Sequence, residues 1–148
     1  MSRGNTFSQA EQDKILDSIR DAEKNTSGEI RLFVEDHCEE NVLDRAAFIF
    51  KELKIHETKN RNGVLFYLAL KSRKFAILGD SGIHSTVHKD FWHDIKLEMQ
   101  NHFTEGDFVT GLNKGIRMAG EALKKNFPRQ EDDANELSDD IVFGSDKE

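Results

Sequence analysis

The reading of the fold turns on Gly63–Val64–Leu65–Phe66–Tyr67–Leu68–Ala69–Leu70, followed by Lys71–Ser72–Arg73–Lys74 and then Phe75–Ala76–Ile77–Leu78. The first eight residues are apolar without alternation, the pattern of a central strand covered on both faces by helices. The basic tetrad is short enough to be a turn, and the apolar run after it is stopped by Gly79–Asp80–Ser81–Gly82. The two runs therefore form a hairpin. Upstream, Glu29–Ile30–Arg31–Leu32–Phe33–Val34 alternates before it fills with apolar residues, as a partly buried strand does. Between the two strands Val42, Ala46, Ala47, Ile49, Phe50 and Leu53 recur at helical spacing. Strand, helix, strand implies a right-handed parallel crossover, so the sheet is mixed: the first two strands parallel, the third antiparallel to the second.

Outward from this centre, Ser8 and Glu11 form a capping pair at the start of a helix whose Ile15, Leu16, Ile19 and Ala22 share a face. Asn25–Thr26–Ser27–Gly28 breaks it. After the hairpin two more helices are expected, at 89–103 and 107–127, parted by Thr104–Glu105–Gly106; Pro128, the only proline, ends the second. Leu137 and Ile141–Val142–Phe143 are apolar islands in an acidic segment, and 140–143 reads as a short edge strand. The expected fold class is α/β, a three-layer α/β/α sandwich with a small mixed central sheet of about four strands and helices on both faces. Residues 1–148 are read as one domain, with a core over 7–128 and a partly docked acidic segment over 129–148.

The charge is uneven. The chain has 148 residues, 28 Asp and Glu against 21 Lys and Arg, and a formal net charge of −7. From Arg129 onward there are eight acids and two bases, so the final segment holds nearly all of the excess and the body is close to neutral. No long cationic face is available to neutralise a row of phosphates, which excludes nonspecific nucleic-acid binding. The strongest apolar run is far short of the ~20 residues that cross a bilayer. The residues Met1–Ser2–Arg3–Gly4–Asn5 lack the apolar core of a secretory signal, so a soluble, cytoplasmic protein without a membrane segment is expected. The single cysteine, Cys38, rules out an internal disulfide and the multi-cysteine zinc frameworks.

The topology places candidate sites. In the hairpin, the end of the third strand lies beside the start of the second, which brings Gly79–Asp80–Ser81–Gly82 near residues 57–62. Loops with oxygen-bearing side chains and glycines suit a hard cation such as Ca²⁺ or Mg²⁺, which takes six or more oxygen ligands. Asp80 is the first candidate ligand and Glu57 a second carboxylate; Asp80 and Ser81 equally suit a turn that caps a helix. The tail adds Asp132, Asp133, Glu136, Asp139 and Asp140, whose mutual repulsion one or two divalent ions would offset. The same run reads as a solvated, solubilising end of the chain.

Other clusters are weaker. Glu35–Asp36–His37–Cys38–Glu39–Glu40 offers transition-metal donors at the C-terminal end of the first strand, yet acids at a helix start are what the helix dipole favours. His84, His88 and His93, with Asp90 and Asp94, lack a His-Glu-x-x-His pattern and read as packing and capping groups around Trp92. There is no Gly-x-Ser-x-Gly elbow and no phosphate loop ending in Lys–Ser or Lys–Thr, and Cys38 has no evident catalytic partner.

Several segments in order resemble the TPM domain family: Thr26–Ser27–Gly28–Glu29–Ile30, the run from Glu57 through Asn60–Arg61–Asn62–Gly63 to Leu65, Gly79–Asp80–Ser81–Gly82–Ile83, Trp92, Gly106 and Gly111 within 103–112, and Phe127–Pro128 to Asn135–Glu136–Leu137–Ser138–Asp139. The resemblance implies an α/β/α sandwich, divalent-cation binding as in some members, and an acid phosphatase activity like that described for a plant thylakoid member. The chain is accordingly expected to bind Ca²⁺ or Mg²⁺ through Asp80, Glu57, Asp133, Glu136, Asp139 and Asp140, as a metal-responsive regulatory or interaction module with a protein partner. The alternative is a metal-assisted acid phosphatase or nucleotide phosphohydrolase.

Overall fold

The first helix, α1 (Gln9–Glu23), begins as a reciprocal cap: the Ser8 hydroxyl accepts from the Glu11 amide at 3.1 Å, and the Glu11 carboxylate accepts from the Ser8 amide at 2.9 Å. The computed structural model of the chain describes residues 7–129 and 141–144. The remaining elements are β1 (Glu29–Glu35), α2 (Val42–Glu52), a 3₁₀ turn (Ile55–Glu57), β2 (Gly63–Ala69), β3 (Lys74–Gly79), a single-turn α3 (Ser81–His84), α4 (Phe91–Phe103), α5 (Phe108–Asn126) and β4 (Val142–Phe143). The hairpin, the two late helices and the edge strand fall where the sequence places them, with end shifts of one or two residues.

The sheet order is β3-β2-β1-β4. β1 pairs parallel with β2 in the register Ile30↔Val64, and β3 returns antiparallel with Leu65↔Leu78. β4 adds parallel to the outer edge of β1 through Phe33↔Val142 and Val34↔Phe143. One face of the sheet carries α1, α4 and α5, with Ile15, Ile19, Leu32, Phe66, Met99 and Ile116 in one core. The other carries α2 and the 3₁₀ turn, with Phe33, Ile49, Ile55, Leu65 and Tyr67 in a second core. Each fully buried aliphatic side chain contributes roughly 1.5–3 kcal/mol over its exposed state. Gly115 lets α5 close onto α4, since a Cβ there would stand 2.6 Å from the Met99 sulfur.

One expectation is corrected. β1 reads as partly buried, but all seven of its residues are buried, Glu29, Arg31 and Glu35 included. Alternation signals a half-buried strand only when one face meets water. Here helices cover both faces and β4 covers the edge, so the polar side chains of β1 are enclosed and take protein partners instead. Among the described residues no helix is long and apolar enough to cross a membrane.

Candidate functional site

The loop after β3 meets the loop before β2, as the hairpin topology requires. The Asp80 amide donates to the Gly63 carbonyl at 2.9 Å, and the Gly82 amide to the Arg61 carbonyl at 2.8 Å. Gly82 makes this closure feasible: a Cβ would lie 2.6 Å from the Arg61 carbonyl oxygen and closer still to that of Asn60, both backbone atoms that cannot step aside. Arg61 itself sits in the left-handed region, at φ 52°.

That geometry directs Asp80 toward a partner the sequence reading did not name. Its carboxylate is buried, and the Arg61 guanidinium grips it at both oxygens, Nε to Oδ2 at 2.7 Å and Nη2 to Oδ1 at 2.9 Å. The Ser81 amide also donates to Oδ1, at 2.7 Å, so Asp80 caps α3 as well. Asp80 in turn raises the guanidinium of Arg61 above its ordinary value, through the hydrogen bonds first and the charge second. The pairing had a legible signal: Arg61 stands two residues before β2 and Asp80 one residue after β3, and the register Val64↔Gly79 places those ends together.

Around this pair the oxygen donors are mostly neutral. Asn62 is fully buried; its Nδ2 donates to the Ser27 hydroxyl at 3.2 Å and its backbone amide to the Thr58 hydroxyl at 3.2 Å. Its Oδ1 is buried with no hydrogen-bond partner among the described residues. Glu57, the other loop carboxylate, is exposed and lies 3.8 Å from the ring of its neighbour His56. Among the described residues no group of three or more His, Cys, Asp or Glu side chains gathers as a metal ligand set. Asp133, Glu136, Asp139 and Asp140, with Asp132, lie outside the described residues. The loops by themselves therefore supply the engaged carboxylate of Asp80, the exposed one of Glu57 and neutral oxygens, fewer charged ligands than a hard-cation site gathers, so such a site would draw further carboxylates from elsewhere in the chain.

At the opposite end of the sheet the acidic run resolves into separate roles. Glu35 does not serve the helix start: its carboxylate takes Nε of Arg45 at 2.9 Å and Nη2 at 3.0 Å, and also the Tyr67 hydroxyl. Burial, and then the hydrogen bond to Glu35, push the Tyr67 phenol above its ordinary value; the Glu35 hydrogen bonds raise Arg45 likewise. Asn41 caps α2, accepting from the Leu43 and Asp44 amides at 2.9 and 3.1 Å. Cys38 is buried and free, its thiol 3.4 Å from the Glu40 carbonyl. His84 and His88 follow their packing and capping reading, while His93 is exposed. His84 stacks on Trp92 with centroids 6.4 Å apart, and His88 Nδ1 accepts from the Asp90 amide at 3.2 Å.

Comparison with known proteins places this geometry. A family model described as TPM domain matches residues 2–122. The chain is similar, at 46% identity and a TM-score of 0.87, to the NMR structure of the BA42 protein from the psychrophilic bacterium Bizionia argentinensis, with 93% of this chain and 95% of that one covered. Two further solution structures share the fold at low identity. One is the N-terminal domain of a P. gingivalis protein, at 19% identity and TM-score 0.69, covering 84% of this chain and 81% of that one. The other is the N-terminal domain of the cg2496 protein from Corynebacterium glutamicum, at 11% and 0.64, covering 82% and 76%. No curated protein sequence matches. With the family model spanning most of its length and the sheet, helices and loop closure in place, the chain belongs to the TPM domain family.

Proposed function

We propose that this chain is a divalent-cation-binding module. It takes one or two Ca²⁺ or Mg²⁺ ions on the carboxylates of segment 130–140, above all Asp133, Glu136, Asp139 and Asp140, with Asp80 and Glu57 as loop ligands. The observation that supports this reading is that both flanks of the acidic segment are held against the fold, one on the loop just before β1 and the other along the edge of β1. On one side Pro128 bridges Thr26 and the Arg129 amide donates to the Asn25 carbonyl at 3.0 Å, beside the start of β1. On the other, Val142 and Phe143 pair with Phe33 and Val34, and the Gly144 amide donates to the Val34 carbonyl at 2.8 Å.

Six acids lie within those eleven positions, and closing such a segment between two anchors keeps like charges together at a cost that a divalent ion offsets. The Asp80 loop stands at the N-terminal end of β1 and β2, two strands away, about 10 Å. Eleven residues reach roughly 35 Å at full extension, so the span is no obstacle. A cation at Asp80 takes the place of the Arg61 guanidinium, whose side chain is half exposed and free to turn to water. The Asn62 Oδ1, without a hydrogen-bond partner among the described residues, supports an oxygen-rich loop of this kind. Filling the site would stabilise the closed segment by mass action and reshape the surface offered to a protein partner.

Calorimetric titration of the chelator-stripped protein with Ca²⁺ and with Mg²⁺ tests the reading. Saturable binding of at least one ion is expected, weakened by Asp80→Asn. No saturable binding of either ion refutes it, and undiminished binding in Asp80→Asn removes Asp80 from the ligand set. A phosphomonoester hydrolysis assay with and without metal, on the same preparations, tests the phosphatase alternative.

A further inference from the structure

The hairpin end of the sheet, far from the Asp80 loops, opens into a cavity of about 810 Å³ between the β2–β3 turn and the α4–α5 loop. Its wall is apolar, built from Leu68 and Leu70 of the outgoing strand, Phe75 of the returning one, and Phe103 and Phe108 on either side of the helix connection. Phe103 joins these rings, edge-on to Phe75 with centroids 5.0 Å apart and tilted on Phe108 at 5.3 Å. Among the described residues the charged groups that line it are Lys71, Arg73 and Lys74, with no Asp or Glu.

Two of the three cations are engaged. Lys74 donates to the carbonyls of Cys38 and Glu40 at 3.1 and 3.3 Å, and Lys71 lies 3.6 Å from the Asp36 carboxylate. Arg73 is exposed and has no hydrogen bond or ion pair through its side chain among the described residues. It occupies the last position of the turn at φ 55°, where Gly or Asn would sit with less strain. Turn geometry therefore does not account for an arginine there. The cavity lies at the C-terminal ends of the parallel pair β1 and β2, the side on which open α/β sheets take ligands, and its size falls within that of small-molecule sites, roughly 300–1,000 Å³.

The geometry points to a site for a small amphipathic carboxylate. Its aliphatic or aryl body lies against Phe75, Phe103 and Phe108, and its carboxylate meets the Arg73 guanidinium, whose fork suits two parallel N–H···O bonds. This site is independent of the cation reading: it uses neither the Asp80 loop nor segment 130–140.

The test is titration of the full chain, in chelator and below micelle formation, with decanoate and with decanol, read by calorimetry and by backbone amide NMR shifts. Decanoate is expected to bind saturably at one to one, with the largest shifts at Leu70, Phe75, Phe103 and Phe108. Decanol should bind about tenfold more weakly or worse, since it lacks the charge that Arg73 meets. Arg73→Gln should weaken decanoate about tenfold while leaving decanol unchanged, and Arg73→Lys should recover part of the loss. As a second variant, Thr104→Trp at the cavity lining should weaken both ligands by narrowing the space. The inference is overturned by absence of saturable decanoate binding, by equal affinity for decanol, by an Arg73→Gln variant that binds as tightly, or by shifts centred elsewhere.

Discussion

Arg45→Met isolates the buried network at the C-terminal end of β1. In the native protein Glu35 holds two Arg45 donors and the Tyr67 hydroxyl, with side-chain exposures of 10% for Glu35 and 22% for Arg45. The methionine keeps the apolar stem and removes the charge, leaving a carboxylate enclosed by protein with Tyr67 as its remaining donor among the described residues. Breaking a buried pair at one partner costs about 3–5 kcal/mol; the residual exposure and the surviving phenol bond bring the expectation down to about 2–3 kcal/mol. Arg45 also lies 5.5 Å over the Phe48 ring, an exposed cation–π contact of about 0.5 kcal/mol that the substitution loses as well.

Adding Glu35→Gln separates these contributions, because a neutral amide needs no counter-charge while its oxygen still accepts from Tyr67. The double variant should be less destabilised than the sum of the two single ones, with a coupling of about 2 kcal/mol, whereas the Phe48 loss is common to both limbs of the cycle and cancels. Equilibrium urea unfolding reads this directly, and a loss of 2 kcal/mol moves the midpoint by about 1 M at the slopes usual for chains of this size. Additive single-variant losses, or an Arg45→Met cost under about 0.5 kcal/mol, would show that the pair behaves as a solvated surface contact and that the reasoning fails.

Three further outcomes follow from the same structure. Folding keeps Tyr67 protonated beyond its ordinary value near 10, so its contribution to stability is complete below about pH 10 and is lost as pH climbs above it, at up to about 1.4 kcal/mol per pH unit. Unfolding midpoints should fall more steeply there than in Tyr67→Phe, and phenolate absorbance from the chain's single tyrosine should appear only with unfolding; phenolate forming near pH 10 in intact protein refutes the buried bond. Gly82→Ala drives a Cβ into two backbone carbonyls and should cost about 2 kcal/mol, roughly 5 °C in Tm by calorimetry, and an unchanged Tm would mean the loops separate freely. Phe143→Asp, which sets a charge on β4 where Phe143 packs against the core, should weaken Ca²⁺ or Mg²⁺ binding in calorimetry if anchored carboxylates hold the ion; unchanged affinity would detach the cation reading from β4.

The sequence by itself determined the order of elements, the mixed sense of the first three strands and the Ser8–Glu11 cap, since each depends on neighbours in the chain: apolar period, turn residues and side chains three positions apart. Hairpin topology was enough to bring Asp80 beside residues 57–62, and the apolar island around Ile141–Val142–Phe143 was enough to foretell an edge strand. Tertiary structure decided what those carboxylates meet, although the hairpin ends already hinted at Arg61 beside Asp80. Arg61 lies nineteen residues from Asp80, and Tyr67 thirty-two from Glu35, so neither pairing follows from local spacing. The same holds for the full burial of β1, which needed helices on both faces and a strand from the far end of the chain, and for the Arg73 cavity, which exists only because two loops distant in sequence frame one end of the sheet. A charged side chain in a sequence has many candidate partners, and packing selects the one that repays its removal from water.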